Sequence, residues 1–188
     1  LPEPGPMIPP VPAVMLGVKG DEEIADDLTV VWTFVVNGNP PQVGITVAGS
    51  SAIDGKLHAA LPLIQRHGEF TLNVPTAEIV VPFDKIDMCA SKRMDKFAYA
   101  GLTRAPSKTI EAPGVAECPI ILECRITQSH PIPPKRILFV AGVLRTTVHE
   151  GVCDRQGRLI AGAARIFGMT AGCGEFHTLG EKVGHIGQ

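Results

Sequence analysis

Apolar and polar residues along this chain change over in short runs and rarely recur at helical spacing. "AVMLGVKG" (13–20), "LTVVWTFVVNG" (28–38) and "QVGITVAGS" (42–50) are rich in Val and aromatic residues and are punctuated by Gly and Asp, which predicts strands. "NGNPP" (37–41) predicts a turn, because Asn and Gly tolerate positive φ and the two prolines bar a helix. "GEFTLNVPT" (68–76), "CPIILECRIT" (118–127) and "RILFVAGVLRTTVHEG" (136–151) continue the strand series, and "DRQGR" (154–158) reads as a hairpin-like turn. Three stretches break the pattern. Residues 56–67, "KLHAALPLIQRH", carry apolar positions 57, 60, 61 and 64, which predicts a helix that begins near Pro62 or is interrupted by it. "AEIVVPFDKI" (77–86) predicts a short helix ended by Pro82. "MDKFAYAGL" (94–102) predicts another, with Gly101 where a helix C-terminus wants a left-handed residue. After Leu159 the glycines are too frequent for a long helix. A string of strands with few short helices predicts a mainly β fold, a closed antiparallel barrel, which leaves no exposed sheet edge.

The first twelve residues hold six prolines and read as an extended arm. No internal repeat or composition shift marks a boundary, so residues 1–188 are expected to form a single domain. Composition narrows the function. Hydrophobic residues make up 45% and charged residues 19% of 188, enough for a core without disulfide or metal staples. A net charge of −2 argues against a nucleic-acid binder, which needs a basic field to displace counterions. The five cysteines, Cys89, Cys118, Cys124, Cys153 and Cys173, include no C-x-x-C pair, so zinc or an iron–sulfur cluster has no spacing to support it. They read as free thiols of a reducing compartment. No apolar run nears the ~20 residues of a membrane span. The start lacks the basic region of a signal peptide. A cytoplasmic protein with no nucleic-acid and no membrane partner is expected.

Candidate chemistry concentrates in "SKRMDKFAYAGLT" (91–103), followed by Arg104. Lys92 and Lys96 lie about one helical turn apart, and Ser91 stands where a helix start would offer N–H groups to a phosphate or carboxylate. The same residues suit a capped helix with a wet face, and on charge alone that second reading leads. Trp32, the single tryptophan, fits a barrel core or a stacking wall for a planar ligand. Ser50 and Ser51 follow a strand and suit either a plain loop or an anion nest. "GCGEFHTLG" (172–180) lacks the third glycine of a dinucleotide fingerprint, and the histidines are scattered.

Taken together, these segments resemble the flavin reductase-like family, and its flavoredoxin-type members most closely. The run "GEFTLNVPTAEIVVPFDKIDMCASKRMDKFAYAGLTRAPSKTIEAPGVAECPIILECRI" (68–126) is similar to the family's F-x-(V/L)-N-x-P segment, its D-K-F-x-x-x-G-L-T segment and its E-C-P…L-E-C strand entry. "TVVWTFVVNGNPPQVGIT" resembles its W…PP hairpin, and "FHTLGEKVGHIG" its ending. The resemblance implies a Greek-key FMN-binding split β-barrel, a homodimer with flavin near the subunit interface, and a redox protein as a further partner. It implies that Thr29, Val30, Val31, Trp32 and Thr33 line the flavin ring. Ala48, Gly49, Ser50 and Ser51, with Ser91 and Lys92, would hold ribityl and phosphate oxygens, and Lys96 and Phe97 would complete or buttress that wall. It implies electron transfer as in flavoredoxin, or flavin reduction by NAD(P)H. The alternatives are an electron carrier without nicotinamide turnover and a split barrel that has lost flavin. No catalytic side chain and no metal is called for. The chain departs from the family at "CASKRM", where many members read S-G-R, which brings Cys89 near the expected flavin. It departs again at "PKRILFVAGVL", where Lys135–Arg136 and Gly142 replace acidic and His positions tied to the nicotinamide-dependent step.

Overall fold

The computed structural model describes Gly5, residues 8–170 and residues 174–186. The arm expected at 1–12 lies partly outside these residues, and Cys173 wholly so. In chain order the strands are β1 (Val11–Pro12), β2 (Val14–Val18), β3 (Asp27–Gly38), β4 (Pro41–Ala48), β5 (Glu69–Val74), β6 (Arg104–Ala105), β7 (Gly114–Val115), β8 (Ile120–Ile132), β9 (Arg136–Val148), β10 (Phe167–Thr170) and β11 (Glu175–Thr178). The helices are α1 (Ala60–His67), α2 (Val80–Met88), α3 (Lys96–Ala100) and α4 (Ala161–Ala164), with a 3-10 turn at Ala77–Ile79 leading into α2. Strands β2-β3-β4-β9-β8-β5 close into an antiparallel barrel. Strands β1, β10 and β11 form a small sheet beside it, so the arm ends as a strand.

The alternation in β2 divides the molecule into two apolar layers. Val14, Leu16 and Val18 face the barrel interior with Ile45, Phe70, Leu72 and Phe139, and α1 closes that core with Leu63 and Ile64. Ala13 and Met15 point the other way, into a second core with Leu28, Phe83, Ile86, Phe97 and Phe167. Successive side chains of a strand point to opposite faces, so a strand buried on both sides reads as a continuous apolar run. Each large side chain sealed in this way contributes about 1.5–3 kcal/mol. Asn73 joins the layers. Its amide donates to the Met15 carbonyl (3.1 Å) and to Thr71 Oγ1 (2.9 Å), and its oxygen accepts from the Val115 N–H (2.8 Å).

Helix α1 begins near Pro62 as expected, whereas α2 departs from expectation at its proline. Pro82 does not end its helix. It is the third residue of α2, as Pro62 is of α1. The first four N–H groups of a helix have no intrahelical acceptor, so a residue without one costs little there. Helix α3 behaves as its sequence predicts: Asp95 caps it by accepting from the Ala98 N–H (3.1 Å), and Gly101 ends it at φ 71°.

Candidate functional site

A cavity of about 500 Å³ opens where the two layers meet. Its apolar wall is built from Val30, Val31 and Trp32 on β3, with Phe83 from α2 and Phe176 from β11. Phe83, Phe167 and Phe176 pack edge to face with centroids 5.2–5.5 Å apart, which makes the aromatic base rigid. Its polar part comes from Thr46, Ser50, Ser51, His58, Lys135 and Arg136. The Thr46 hydroxyl is buried without a protein partner. Trp32 is 39% exposed, so it is not a core tryptophan, and the Arg136 guanidinium lies 4.2 Å from its ring centroid.

His58 is 5% exposed. Its Nε2 shares a hydrogen bond of 3.1 Å with Thr29 Oγ1. Burial, assisted by the positive charges of Lys96 and Arg136, lowers its pKa to about 4. The imidazole is therefore neutral near pH 7. Asp87 also borders the cavity, and desolvation together with the like charge of Asp84 pushes its carboxyl up.

The basic run at 91–104 resolves into separate roles. The Lys96 ammonium is fully buried, 2.8 Å from Asp27 Oδ1 and 3.2 Å from the Ala90 carbonyl. Burial raises Asp27 to about 6 against the pull of Lys96. Arg104 pairs with Asp95 (2.9 Å) and Asp26 (3.2 Å) and lies over the Phe97 ring at 4.3 Å. Lys92 and Arg93 are exposed. Ser91 donates to Asp54 (2.7 Å). None of Ser91, Lys92, Lys96 and Phe97 lines the cavity. Lys96 stands behind it instead, holding the carbonyl of Ala90, which does line it.

The β3 and β4 residues fare differently. Val30, Val31, Trp32, Ala48, Ser50 and Ser51 come together on the cavity wall. Thr29 is sealed behind it against His58, and Thr33 donates to the Gly44 carbonyl (2.9 Å) away from it. Gly49 is engaged through its N–H, which donates to the Lys135 carbonyl (2.6 Å). The loop amides expected as an anion nest are in use: Ser51 N–H bonds to the Lys56 carbonyl and Ile53 N–H to Ser51 Oγ.

The sequence profile described as "Flavin reductase like domain" matches residues 9–161, most of the chain. The chain belongs to the flavin reductase-like family. Flavin-binding redox function follows from that membership at the level of the family. A protein of Archaeoglobus fulgidus is 27% identical over 127 residues, 68% of this chain and 67% of its own length. One of Halalkalibacterium halodurans is 27% identical over 126 residues, 67% of this chain. The chain spans 59% of that relative. Among solved structures, flavoredoxin from Methanosarcina acetivorans superposes with a TM-score of 0.83 at 24% identity, covering 95% of this chain and 90% of that one. Flavoredoxin of Desulfovibrio vulgaris (Miyazaki F) gives 0.81 at 21%, covering 96% and 93%. An FMN-binding protein from Thermus thermophilus, solved with 1-cyclohex-2-enone, gives 0.78 at 19%, covering 98% and 94%. At these identities the superpositions establish the split-barrel fold.

The cavity also carries residues that the sequence pattern did not single out. Pattern reading passed over His58, Thr46, Phe83, Phe176 and Met169. Lys135 and Arg136 stood out as a departure from the family, yet the structure sets both on the wall. No carboxylate among the described residues pairs with either. Cys89 is 6% exposed, and burial pushes its thiol up, so it lacks the thiolate character of a reactive cysteine. The described cysteines, Cys89, Cys118, Cys124 and Cys153, are free thiols. No helix among the described residues is long and apolar enough to cross a membrane.

Proposed function

We propose that this chain binds FMN in the cavity and takes part in electron transfer as flavoredoxin does, or in flavin reduction by NAD(P)H. One observation carries the reading: an aromatic and apolar wall at Val30–Trp32 and Phe83 meets a cationic edge at Lys135 and Arg136 around about 500 Å³. That lies within the ~300–1,000 Å³ typical of cofactor pockets. The residues suit the group: a flat ring wants the apolar wall, and a phosphate wants uncommitted cations and a hydroxyl such as that of Ser50. FMN when bound supplies a carrier that accepts electrons or hydride and gives them up again. The protein supplies position and field. Val30 and Val31 exclude water, and neutral His58 adds a polar edge without a charge to be compensated.

Of the residues expected from the family resemblance, Val30, Val31, Trp32, Ala48, Ser50 and Ser51 would contact FMN. Thr29 and Lys96 would act from behind the wall. We further propose a cytoplasmic homodimer. A second, apolar cavity of about 370 Å³ bounded by Phe34, Val35 and Leu159 offers surface for a second copy to cover. Sedimentation of the protein at its working concentration tests this, and a monomer would reject it.

The test of function is an absorption spectrum of the purified protein, with FMN added back, then NADH or NADPH under anaerobic conditions. A yellow protein bleached by NAD(P)H is a reductase. One bleached only by a reduced protein partner is a carrier, the reading favoured by Lys135–Arg136 standing at the positions tied to nicotinamide use. A colourless protein that binds no added FMN rejects both.

A further inference from the structure

Trp32 carries a guanidinium on its ring. Arg136 opens β9 opposite Ala48, the last residue of β4, and Trp32 lies on β3 opposite Thr46 of the same β4. The two side chains therefore meet across an intervening strand, 4.2 Å from Cζ to ring centroid, and both border the cavity. An indole face is the best aromatic seat for a cation, worth about 0.5–2 kcal/mol according to solvent access. Such a seat fixes the guanidinium without using its N–H donors, which a carboxylate would consume. No described carboxylate does so. Behind the wall Lys96 is committed to Asp27, and Arg104 is committed to Asp95 and Asp26; Lys135 shares the wall with Arg136 but has no ring to seat it. The charge of Arg136 reaches inward as far as His58, whose imidazole it helps keep neutral.

We propose that Arg136 is the specificity-determining residue of this cavity, selecting a ligand that bears a phosphate-like anionic group, and that Trp32 is its positioning residue. The planar fork of Arg suits a phosphate through two N–H···O bonds, which a point-charge lysine does not reproduce. Trp32 thus contributes a seat for the guanidinium as well as a wall. The inference rests on the flavin reading only for the identity of the ligand, since any phosphate-bearing molecule of suitable shape would be selected in the same way.

FMN and riboflavin share ring and ribityl chain and differ by the phosphate, so their affinity ratio isolates the selected group. Wild-type protein is expected to prefer FMN, and Arg136→Gln to reduce that preference about tenfold, lowering FMN affinity far more than riboflavin affinity. Trp32→Leu should reduce the ratio similarly and Trp32→Phe by less. Combining Trp32→Leu with Arg136→Gln should add little, because both remove one device. A ratio unaltered in Arg136→Gln overturns the proposal, with its thermal unfolding midpoint checked against wild type to show that it folds. Inorganic phosphate provides an independent readout, since Trp32 is the single tryptophan. Its emission should respond to phosphate in wild type and in Lys135→Gln, and not in Arg136→Gln. If wild type binds neither flavin, the flavin reading falls, and the phosphate titration still decides the role of Arg136. A response lost in Arg136→Gln upholds it. A response that persists there, or is absent from wild type, overturns it.

Discussion

Lys96 and Arg136 both come from short basic runs, and the fold treats them in opposite ways. Lys96 is sealed behind the cavity against Asp27 at 2.8 Å, with neither side chain more than 1% exposed. Arg136 is half-buried on the cavity wall, stacked on Trp32, with no carboxylate beside it among the described residues. A buried cation with a partner is spent on holding the protein together, whereas a cation seated on an aromatic ring keeps its donors for a ligand. Local basicity does not separate these cases; the counter-charge does.

Removing the buried charge should produce the largest effect. Lys96→Met leaves Asp27 sealed and unpaired and should cost about 3–5 kcal/mol in urea unfolding. Replacing Asp27 with Leu at the same time should recover most of it. If Lys96→Met lowered FMN affinity with little loss of stability, the two cations would be alike and the comparison would fail.

Next in size is a pH response in which two groups oppose each other. Asp27 is raised from 3.8 to about 6 by burial, so its stabilising contribution is full below pH 3.8 and is lost as pH rises through 6. His58 is lowered from 6.5 to about 4, by burial first and then by Lys96 and Arg136. Its contribution is full above pH 6.5 and is lost as pH falls through 4. Each amounts to roughly 3 kcal/mol at its limit, so they largely cancel between the two. Relative to wild type, Asp27→Asn should lose stability as pH drops from 6.5 to 4, and His58→Asn should gain it. Slopes of the same sign in the two variants would show that the groups do not titrate as opposites.

A smaller effect is expected on the wall itself. Arg136→Gln should weaken FMN binding by about 1.4 kcal/mol and change unfolding stability by less than about 1 kcal/mol, the reverse of the Lys96 balance. The smallest belongs to Lys92→Ala, which removes an exposed ammonium. It should stay within about 0.5 kcal/mol in stability and leave the FMN dissociation constant unchanged. A clear loss of FMN affinity would return Lys92 to the site.

Much of the barrel was legible in advance because its signal is local. Alternation marked β3, β4, β5, β8 and β9, and the Asp95 and Gly101 caps of α3 sit where their side-chain chemistry suits a helix start and end. Pro82 misled only in detail, since a few residues decide whether proline falls in a first turn or breaks a helix. Part of the wall was anticipated through the family resemblance alone: Val30 to Trp32 lie on β3, Ala48 ends β4, and Ser50 and Ser51 follow in the loop. The basic run at 91–104 was not legible. Lys92 and Arg93 stay exposed, while Lys96 pairs with Asp27 at the start of β3 and Arg104 with Asp26 just before it as well as with Asp95, and nothing local announces a partner on another element.

By itself, then, the sequence determined the six strands of the barrel, because backbone preference and side-chain period act between near neighbours, and its ordered motifs carried the family resemblance. Only the tertiary structure decided that Lys96 is spent on Asp27, that His58 is buried and neutral, and that Arg136 rests on Trp32 at the cavity. Electrostatic and cation–aromatic contacts depend on through-space distance and on exclusion of water, and both are properties of the closed barrel.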